Sequence, residues 1–236
     1  MIGRAALFVT CLADTLYPSV GIATVTVLER LGVGVTFPRE QTCCGQMHFN
    51  SGYLDEARQL ARRFVDVFAD EPVVVTPSAS CTAHVRDQYP ELLGDDTRGV
   101  PASVVELSQF VVDQLGVTKV GARFDGTATY HPTCHSLRVL RVGDSPVRLL
   151  REVEGLELVE LPDADECCGF GGTFAVKNAA VSTAMLDDKL ASIEGTGADV
   201  VCACDSSCLM HIGGGLRRRG SRVRAVHLAE ILAGAS

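Results

Sequence analysis

The sequence predicts an α/β fold of two pseudo-symmetric repeats, each built from parallel βαβ units, with cysteines clustered at the C-terminal ends of strands. Three observations lead there. Short β-branched runs alternate with longer stretches of helical periodicity, the pattern that feeds a parallel sheet. One order of landmarks runs through the chain twice. In both passes, the first three strands each lead into a cysteine or a cysteine pair.

In the first pass, Ala5-Ala6-Leu7-Phe8-Val9-Thr10 reads as a buried strand ending at Cys11. Val20 to Leu31 is a helix stopped by Gly32. Gly34-Val35-Thr36-Phe37-Pro38 is the second strand and precedes Cys43-Cys44-Gly45. Between Ser51 and Asp70, Leu54, Ala57, Leu60, Ala61, Phe64, Val67 and Phe68 recur at helical spacing. Asp55 and Glu56 fall in the first turn of that helix, where the dipole favours acids. Val73-Val74-Val75 leads to Ser80-Cys81, and Val104-Val105-Glu106-Leu107 runs into a helix at Phe110-Val111-Val112.

The second pass repeats this order. Ala128-Thr129-Tyr130-His131-Pro132-Thr133 ends at Cys134. Residues 135 to 153 hold one or two short helices broken by Gly143 and Pro146. Leu158-Val159-Glu160-Leu161-Pro162 precedes Cys167-Cys168-Gly169. Ala179, Ala180, Met185, Leu186, Leu190 and Ile193 mark the matching helix, ended by Gly195. Val200-Val201 leads to Ser207-Cys208, and Val223-Arg224-Ala225-Val226 runs into Leu228-Ile231-Leu232. The intervals agree as well. Cys11 and Cys43 have 31 residues between them, and Cys134 and Cys167 have 32. The later gaps are 36 residues from Cys44 to Cys81 and 39 from Cys168 to Cys208. The repeats are placed at 1–120 and 121–236, joined through Pro90 to Val100 or Val117 to Phe124. Whether they share one sheet the sequence leaves open.

Bulk composition narrows the function classes. Hydrophobic residues make up 47% and charged residues 21% of 236, a globular balance. A net charge of −8 argues against a nucleic-acid surface, and Arg217-Arg218-Arg219 with Arg222 and Arg224 reads as a solvated turn. No apolar run has transmembrane length, and Ala5 to Val9 is too short for a signal-peptide core, so a cytoplasmic location is expected. In such a reducing compartment, ten cysteines point to metal or redox chemistry rather than disulfides.

Each repeat offers four thiols: Cys11, Cys43, Cys44 and Cys81, then Cys134, Cys167, Cys168 and Cys208. Loops beyond the carboxyl ends of parallel strands lie along one edge, so distant cysteines converge there. Adjacent cysteines bridge each other poorly. A set of four thiolates suits an iron–sulfur cluster or tetrahedral zinc. Zinc usually takes pairs spaced by two to four residues, whereas a cluster spreads its ligands over separate irons. The expectation is an iron–sulfur cluster in each repeat, with zinc in one repeat as the alternative. Glycine after each doublet lets the backbone approach the cluster closely.

The motifs carry a family resemblance. Phe8-Val9-Thr10-Cys11, Gln41-Thr42-Cys43-Cys44-Gly45-Gln46, Tyr130-His131-Pro132-Thr133-Cys134, Cys167-Cys168-Gly169-Phe170-Gly171-Gly172-Thr173-Phe174 and Val226-His227-Leu228-Ala229-Glu230-Ile231-Leu232 span nearly the whole chain. Together they resemble the cysteine-rich "CCG" domain found in heterodisulfide reductase and in the iron–sulfur component of glycolate oxidase. The chain is most similar to the two-repeat lactate utilization protein A family. That resemblance implies an iron–sulfur electron-transfer subunit of a complex oxidising L-lactate to pyruvate, working with other iron–sulfur or flavin-bearing subunits. It implies an oxidoreductase subunit without its own flavin or nicotinamide site. The alternatives are a thiol–disulfide reductase subunit like that of heterodisulfide reductase, and a zinc-containing scaffold subunit.

One departure bears on the cluster type. The fuller pattern ends in Cys-x-x-Cys, and here Ser78 and Asp205 take the first cysteine's place. Four ligands per repeat fit a [4Fe–4S] cubane rather than the five-cysteine double cluster. Cys202 and Cys204 are then small buried residues at a strand end, with Cys204 as a minor substitute for Cys208. His84, His131, His135 and His211 lie within four residues of a proposed ligand and suit hydrogen bonds that tune the site rather than ligation. Gly32-Val33-Gly34 lacks a third glycine and follows a helix, so it is no dinucleotide fingerprint.

Overall fold

The computed structural model describes residues 3–234. The first repeat runs β1 (Arg4–Leu7), α1 (Cys11–Leu16), α2 (Pro18–Arg30), β2 (Gly34–Thr36), α3 (Gln46–Asn50), α4 (Leu54–Phe68), β3 (Val74–Thr76), α5 (Ala79–Leu93), α6 (Val100–Ser103), β4 (Val104–Glu106) and α7 (Leu107–Gln109). The second runs β5 (Arg123–Tyr130), α8 (Ser145–Arg151), β6 (Glu154–Val159), α9 (Phe174–Lys177), α10 (Ala179–Gly195), β7 (Val200–Ala203), α11 (Ser206–Arg219), β8 (Arg224–His227) and α12 (Leu228–Ala233).

Two separate four-stranded sheets result, each wholly parallel and each in the same order: β2-β1-β3-β4 and β6-β5-β7-β8. This is the α/β repeat architecture that the doubled landmarks predict. The chain leaves the first sheet after β4 and enters the second at β5. Of the two expected connections, Pro90 instead lies inside α5, near its end. Pro146 does not break a helix either. It occupies the first turn of α8, where a missing N–H costs nothing, and Gly143 at φ +72° makes the turn before it.

Alternation along the strands decides how the sheets pack. Ala5, Leu7, Val73 and Val75 of the first repeat join Ala128, Tyr130, Val200 and Cys202 of the second in one shared core. Their neighbours face the other way, Ala6, Phe8 and Val74 into a core with α4 and α5, and Val201 into one with α10 and α11. Side chains of a strand point to opposite faces in turn, so each sheet is covered on both sides. α2 and α12 lie in the shared layer, contributing Val20, Val27, Leu28, Ile231 and Leu232. Arg30, at the end of α2, donates to the carbonyls of Val120 (3.3 Å), Leu232 (3.0 Å) and Ala233 (2.8 Å), tying α2 to the inter-repeat connection and to the end of α12.

The last strand of each sheet ends on a buried residue that caps the following helix. Glu106 accepts from the Ser108 and Gln109 backbone N–H groups at 2.8 and 3.3 Å. His227 Nδ1 accepts from Ala229 N at 3.1 Å, which leaves Nε2–H to donate to Pro77 O and Cys204 O, both at 3.1 Å. Burial lifts the Glu106 carboxyl from 4.5 to about 7. The folded state therefore holds a proton that the unfolded chain releases between those values, and stability falls as pH rises through that window. The fall amounts to roughly 3 kcal/mol. Glu106→Gln should remove it, so the variant gains on wild type between about pH 5 and about pH 8 in denaturant unfolding. An unchanged pH slope would contradict a protonated Glu106.

Candidate metal centre

Each proposed ligand sits just beyond the C-terminal end of a strand. Cys11 opens α1 after β1, the Cys43-Cys44 pair lies between β2 and α3, and Cys81 is in the first turn of α5 after β3. Cys134 follows β5, Cys167-Cys168 lies between β6 and α9, and Cys208 is in the first turn of α11 after β7. The loops are held by specific bonds. Gln41 accepts from Val9 N at 2.8 Å and donates to the carbonyls of Leu7 (3.1 Å) and Pro38 (2.8 Å), clamping the ends of β1 and β2 together. Tyr89 donates to Cys44 O at 2.9 Å, and Ser182 donates to Gly169 O at 2.8 Å.

The sulfurs meet. In the first repeat, the Cys11 thiol donates to Cys43 Sγ at 3.6 Å and the Cys44 thiol to Cys81 Sγ at 3.2 Å. In the second, Cys134, Cys167, Cys168 and Cys208 lie near enough to shift one another's ionisation, and Cys168 and Cys208 lie with a His131 nitrogen inside 4.8 Å. Both sets line one cleft of about 860 Å³ with its open mouth, which also takes in Gln46, Ser80, His135 and Asp205. The neighbouring Cys11 and Cys44 thiols push the Cys43 thiol down to about 2, and the Cys134 and Cys168 thiols do the same for Cys167. Their neighbours shift the other way: Cys11, Cys44, Cys134 and Cys168 are all raised, chiefly by the adjacent Cys43 and Cys167 sulfurs. Four thiolates this close repel one another unless a cation joins them, and a bound metal would displace the remaining thiol protons.

The two doublet glycines share one geometry. Gly45 has φ +87° and Gly169 φ +84°, and each N–H points to the sulfur two residues back at 3.4 Å. A Cβ at Gly169 would lie 2.6 Å from Ser182 O, whereas at Gly45 the nearest atoms are 3.4 Å away. Left-handed strain costs an alanine about 1–2 kcal/mol, and the clash adds about 1–3. Gly169→Ala should therefore lose roughly 3 kcal/mol of stability and Gly45→Ala about half of that, read by thermal unfolding of the two variants. Equal losses would mean that the Ser182 contact gives way freely.

Between the two sets lies a buried carboxylate. Asp205 Oδ1 accepts from Ser78 Oγ (2.7 Å), Ser80 N (3.0 Å) and Ser80 Oγ (2.9 Å), and Oδ2 accepts from Thr133 Oγ1 (2.6 Å). Ser78 in turn accepts from Cys81 N at 3.2 Å, capping α5. The two residues standing where the longer pattern has cysteines thus bond to each other across the repeats. A second link runs from Gln46, which donates to Ser80 O (3.1 Å) and to His135 Nε2 (3.3 Å); His135 Nδ1–H then faces Cys134 Sγ at 3.7 Å.

Of the other histidines, burial pushes His84 and His131 down to about 4, so both are neutral near pH 7. His84 Nε2 and both nitrogens of His131 have no hydrogen-bond partner. His211 meets Ser182 Oγ at 3.3 Å. Cys202 is fully buried in the shared core, and Cys204 Sγ lies 3.3 Å from Tyr130 Oη, outside the cleft lining. Lys189, fully buried on α10, donates to Asp163 O at 2.6 Å and was not singled out by its sequence. Its spacing was the available signal, because it falls four residues from both Met185 and Ile193 on the apolar stripe.

The donor chemistry fits a thiophilic metal: four sulfurs per repeat, a backbone N–H on one of them, and unpaired buried imidazoles alongside. Fold and sulfurs together define a two-repeat cysteine-rich protein able to hold metal at its strand ends. The cysteine-rich domain (CCG) family matches twice, over residues 5–86 and 128–213. Lactate utilization protein A from an Exiguobacterium species is 50% identical over 97% of this chain and 96% of its own. Its namesake from Geobacillus kaustophilus is 48% identical over 97% and 98%. The chain belongs to the lactate utilization protein A family. A glutamate racemase from Francisella tularensis aligns over 99% of this chain and 79% of its own at a TM-score of 0.37 and 10% identity, too distant to bear on function.

Proposed function

We propose that this chain is an iron–sulfur electron-transfer subunit of a system that oxidises L-lactate to pyruvate. Each repeat, 1–120 and 121–236, holds one [4Fe–4S] cluster, on Cys11, Cys43, Cys44 and Cys81 and on Cys134, Cys167, Cys168 and Cys208. The observation that carries the reading is the single cleft lined by both sets. Lactate gives up two electrons and two protons, and a cluster accepts one electron at a time, so a facing pair matches the stoichiometry. The lactate role comes from the name that the relatives carry. Hydride acceptance is assigned to a partner bearing flavin or further clusters. A cytoplasmic location agrees with the lack of any helix long and apolar enough to cross a membrane among the described residues.

This chain's residues position and insulate the centres. The glycine N–H groups stabilise charge on Cys43 and Cys167, Gln41 and Tyr89 fix the first loops, and buried Asp205 holds the two sets at a constant separation. With Ser78 and Asp205 bonded to each other, neither supplies the fifth thiolate of a disulfide-cleaving double cluster.

A second reading has one observation in its favour. Sulfurs at 3.2 and 3.6 Å approach the roughly 3.8 Å edge of a single tetrahedral zinc with 2.3 Å bonds. Iron, sulfide and zinc content per chain after anaerobic reconstitution, with an EPR spectrum of the reduced protein, separates the two. Stoichiometric zinc without iron would replace the redox role by a structural one.

A further inference from the structure

The repeats share a fold but not the surroundings of their sulfurs. Counting back from Cys11 and Cys134 puts Phe8 opposite His131. The residues under the doublet glycines, Ala57 and Leu60 against Ser182 and Met185, fix a second correspondence. Continuing four residues along each helix puts Phe64 opposite Lys189. In the first repeat these two places are filled by an aromatic cluster. Phe8 and Phe64 are buried with ring centroids 4.8 Å apart, edge to face, and Phe68 packs on both. In the second they are filled by a buried imidazole and a buried ammonium. His131 has one ring nitrogen inside 4.8 Å of the Cys168 and Cys208 sulfurs and no hydrogen-bond partner on either nitrogen. Lys189 is wholly buried and donates to Asp163 O at 2.6 Å.

Resting on the iron–sulfur reading above, we infer that the two centres are electrostatically inequivalent and that the second is the electron-accepting end of the pair. Reduction adds one negative charge to a centre. A buried cation stabilises that charge far more than a solvated one, and the His131 tautomer that carries its proton on the nitrogen nearest the Cys168 and Cys208 sulfurs adds a favourable dipole. Asp163, Asp165 and Glu166 border the same loop and oppose the effect, but they are exposed and screened by solvent and salt. Buried Asp205 opposes it too, but it lies between the two sets, bonded to Ser78 and Ser80 of the first repeat as well as to Thr133 of the second. The first centre has apolar rings at both places. One electron therefore leaves the reduced first centre and arrives on the oxidised second, with no other reagent consumed.

The test is an EPR-monitored potentiometric titration of the anaerobically reconstituted full chain, after its iron content is measured. The signals are assigned with Cys43→Ser and Cys167→Ser. The expected result is that the second centre titrates at the higher potential. Lys189→Met should shift the electron partition toward the first centre by at least about tenfold, or about 59 mV for one electron. His131→Phe, which installs the first repeat's residue, should shift it the same way, and Lys189→Arg should keep the wild-type value. Two filled centres of equal potential, or a Lys189→Met variant with full iron and no shift, would overturn this inference alone. A chain that takes up no iron would overturn it together with the redox reading.

Discussion

Cys43→Ser should cost the protein the metal of the first repeat and spare that of the second, and Cys167→Ser should do the converse. Each variant is expected to retain about half the wild-type iron. Serine offers a hard, protonated oxygen where a thiophilic metal needs a thiolate. These two positions are also the thiols that the neighbouring sulfurs and a glycine N–H hold most strongly in the ionised form. The first doublet's sulfur contacts lie within its own repeat, Cys43 with Cys11 and Cys44 with Cys81. Iron and sulfide analysis beside the EPR signal of each reduced variant reads the outcome. Loss of all iron in either single variant would mean that the eight sulfurs form one centre across the cleft, and full retention in both would remove the doublets from the ligand set.

Asp205→Ala should be among the most damaging substitutions outside the cysteines, lowering stability by about 3 kcal/mol. It removes an acceptor of four hydrogen bonds from a site 1% exposed and leaves the hydroxyls of Ser78, Ser80 and Thr133 buried without it. The damage should reach both centres, because Ser78 caps the helix that carries Cys81 and Thr133 precedes Cys134. Asp205→Asn keeps one carbonyl acceptor and should lose less. Denaturant unfolding with metal content measured on the same samples checks this. A loss confined to the second repeat's metal would show that the carboxylate does not bridge the pair.

A parallel strand covered on both faces is a nearly unbroken apolar run, which made β1, β3, β4 and β7 readable. In contrast, β5 and β6 carry Arg123, Asp125, Glu154 and Glu157 and were read only over their last residues, from Ala128 and from Leu158. Val73-Val74-Val75 and Val200-Val201 leave little else to predict. The cysteine sets were readable for a related reason: strand order fixes which loops share an edge, and the doublets mark those loops. What the sequence hid depends on packing between repeats. Nothing local announces that Ala5, Leu7, Ala128 and Val200 turn toward one another, and that contact is what brings the two sets to one cleft. Asp205 stood out only as a missing cysteine, since its partners come from 72, 125 and 127 residues away. Lys189 hides in the sequence because a lysine on a mostly apolar helix reads as solvated until its side chain is seen buried with Nζ bonded to the Asp163 carbonyl.

The layer holding α2 and α12 also bears on how such a chain could have arisen. Either repeat on its own would leave Leu7, Val27 and Leu28, or Tyr130, Ile231 and Leu232, facing water. Because the halves present equivalent surfaces, a half-length ancestor could have hidden that surface only against a second copy of itself. Fusion of two such copies would then have freed Phe64 and Lys189 to diverge, something no symmetric pair of identical chains can do.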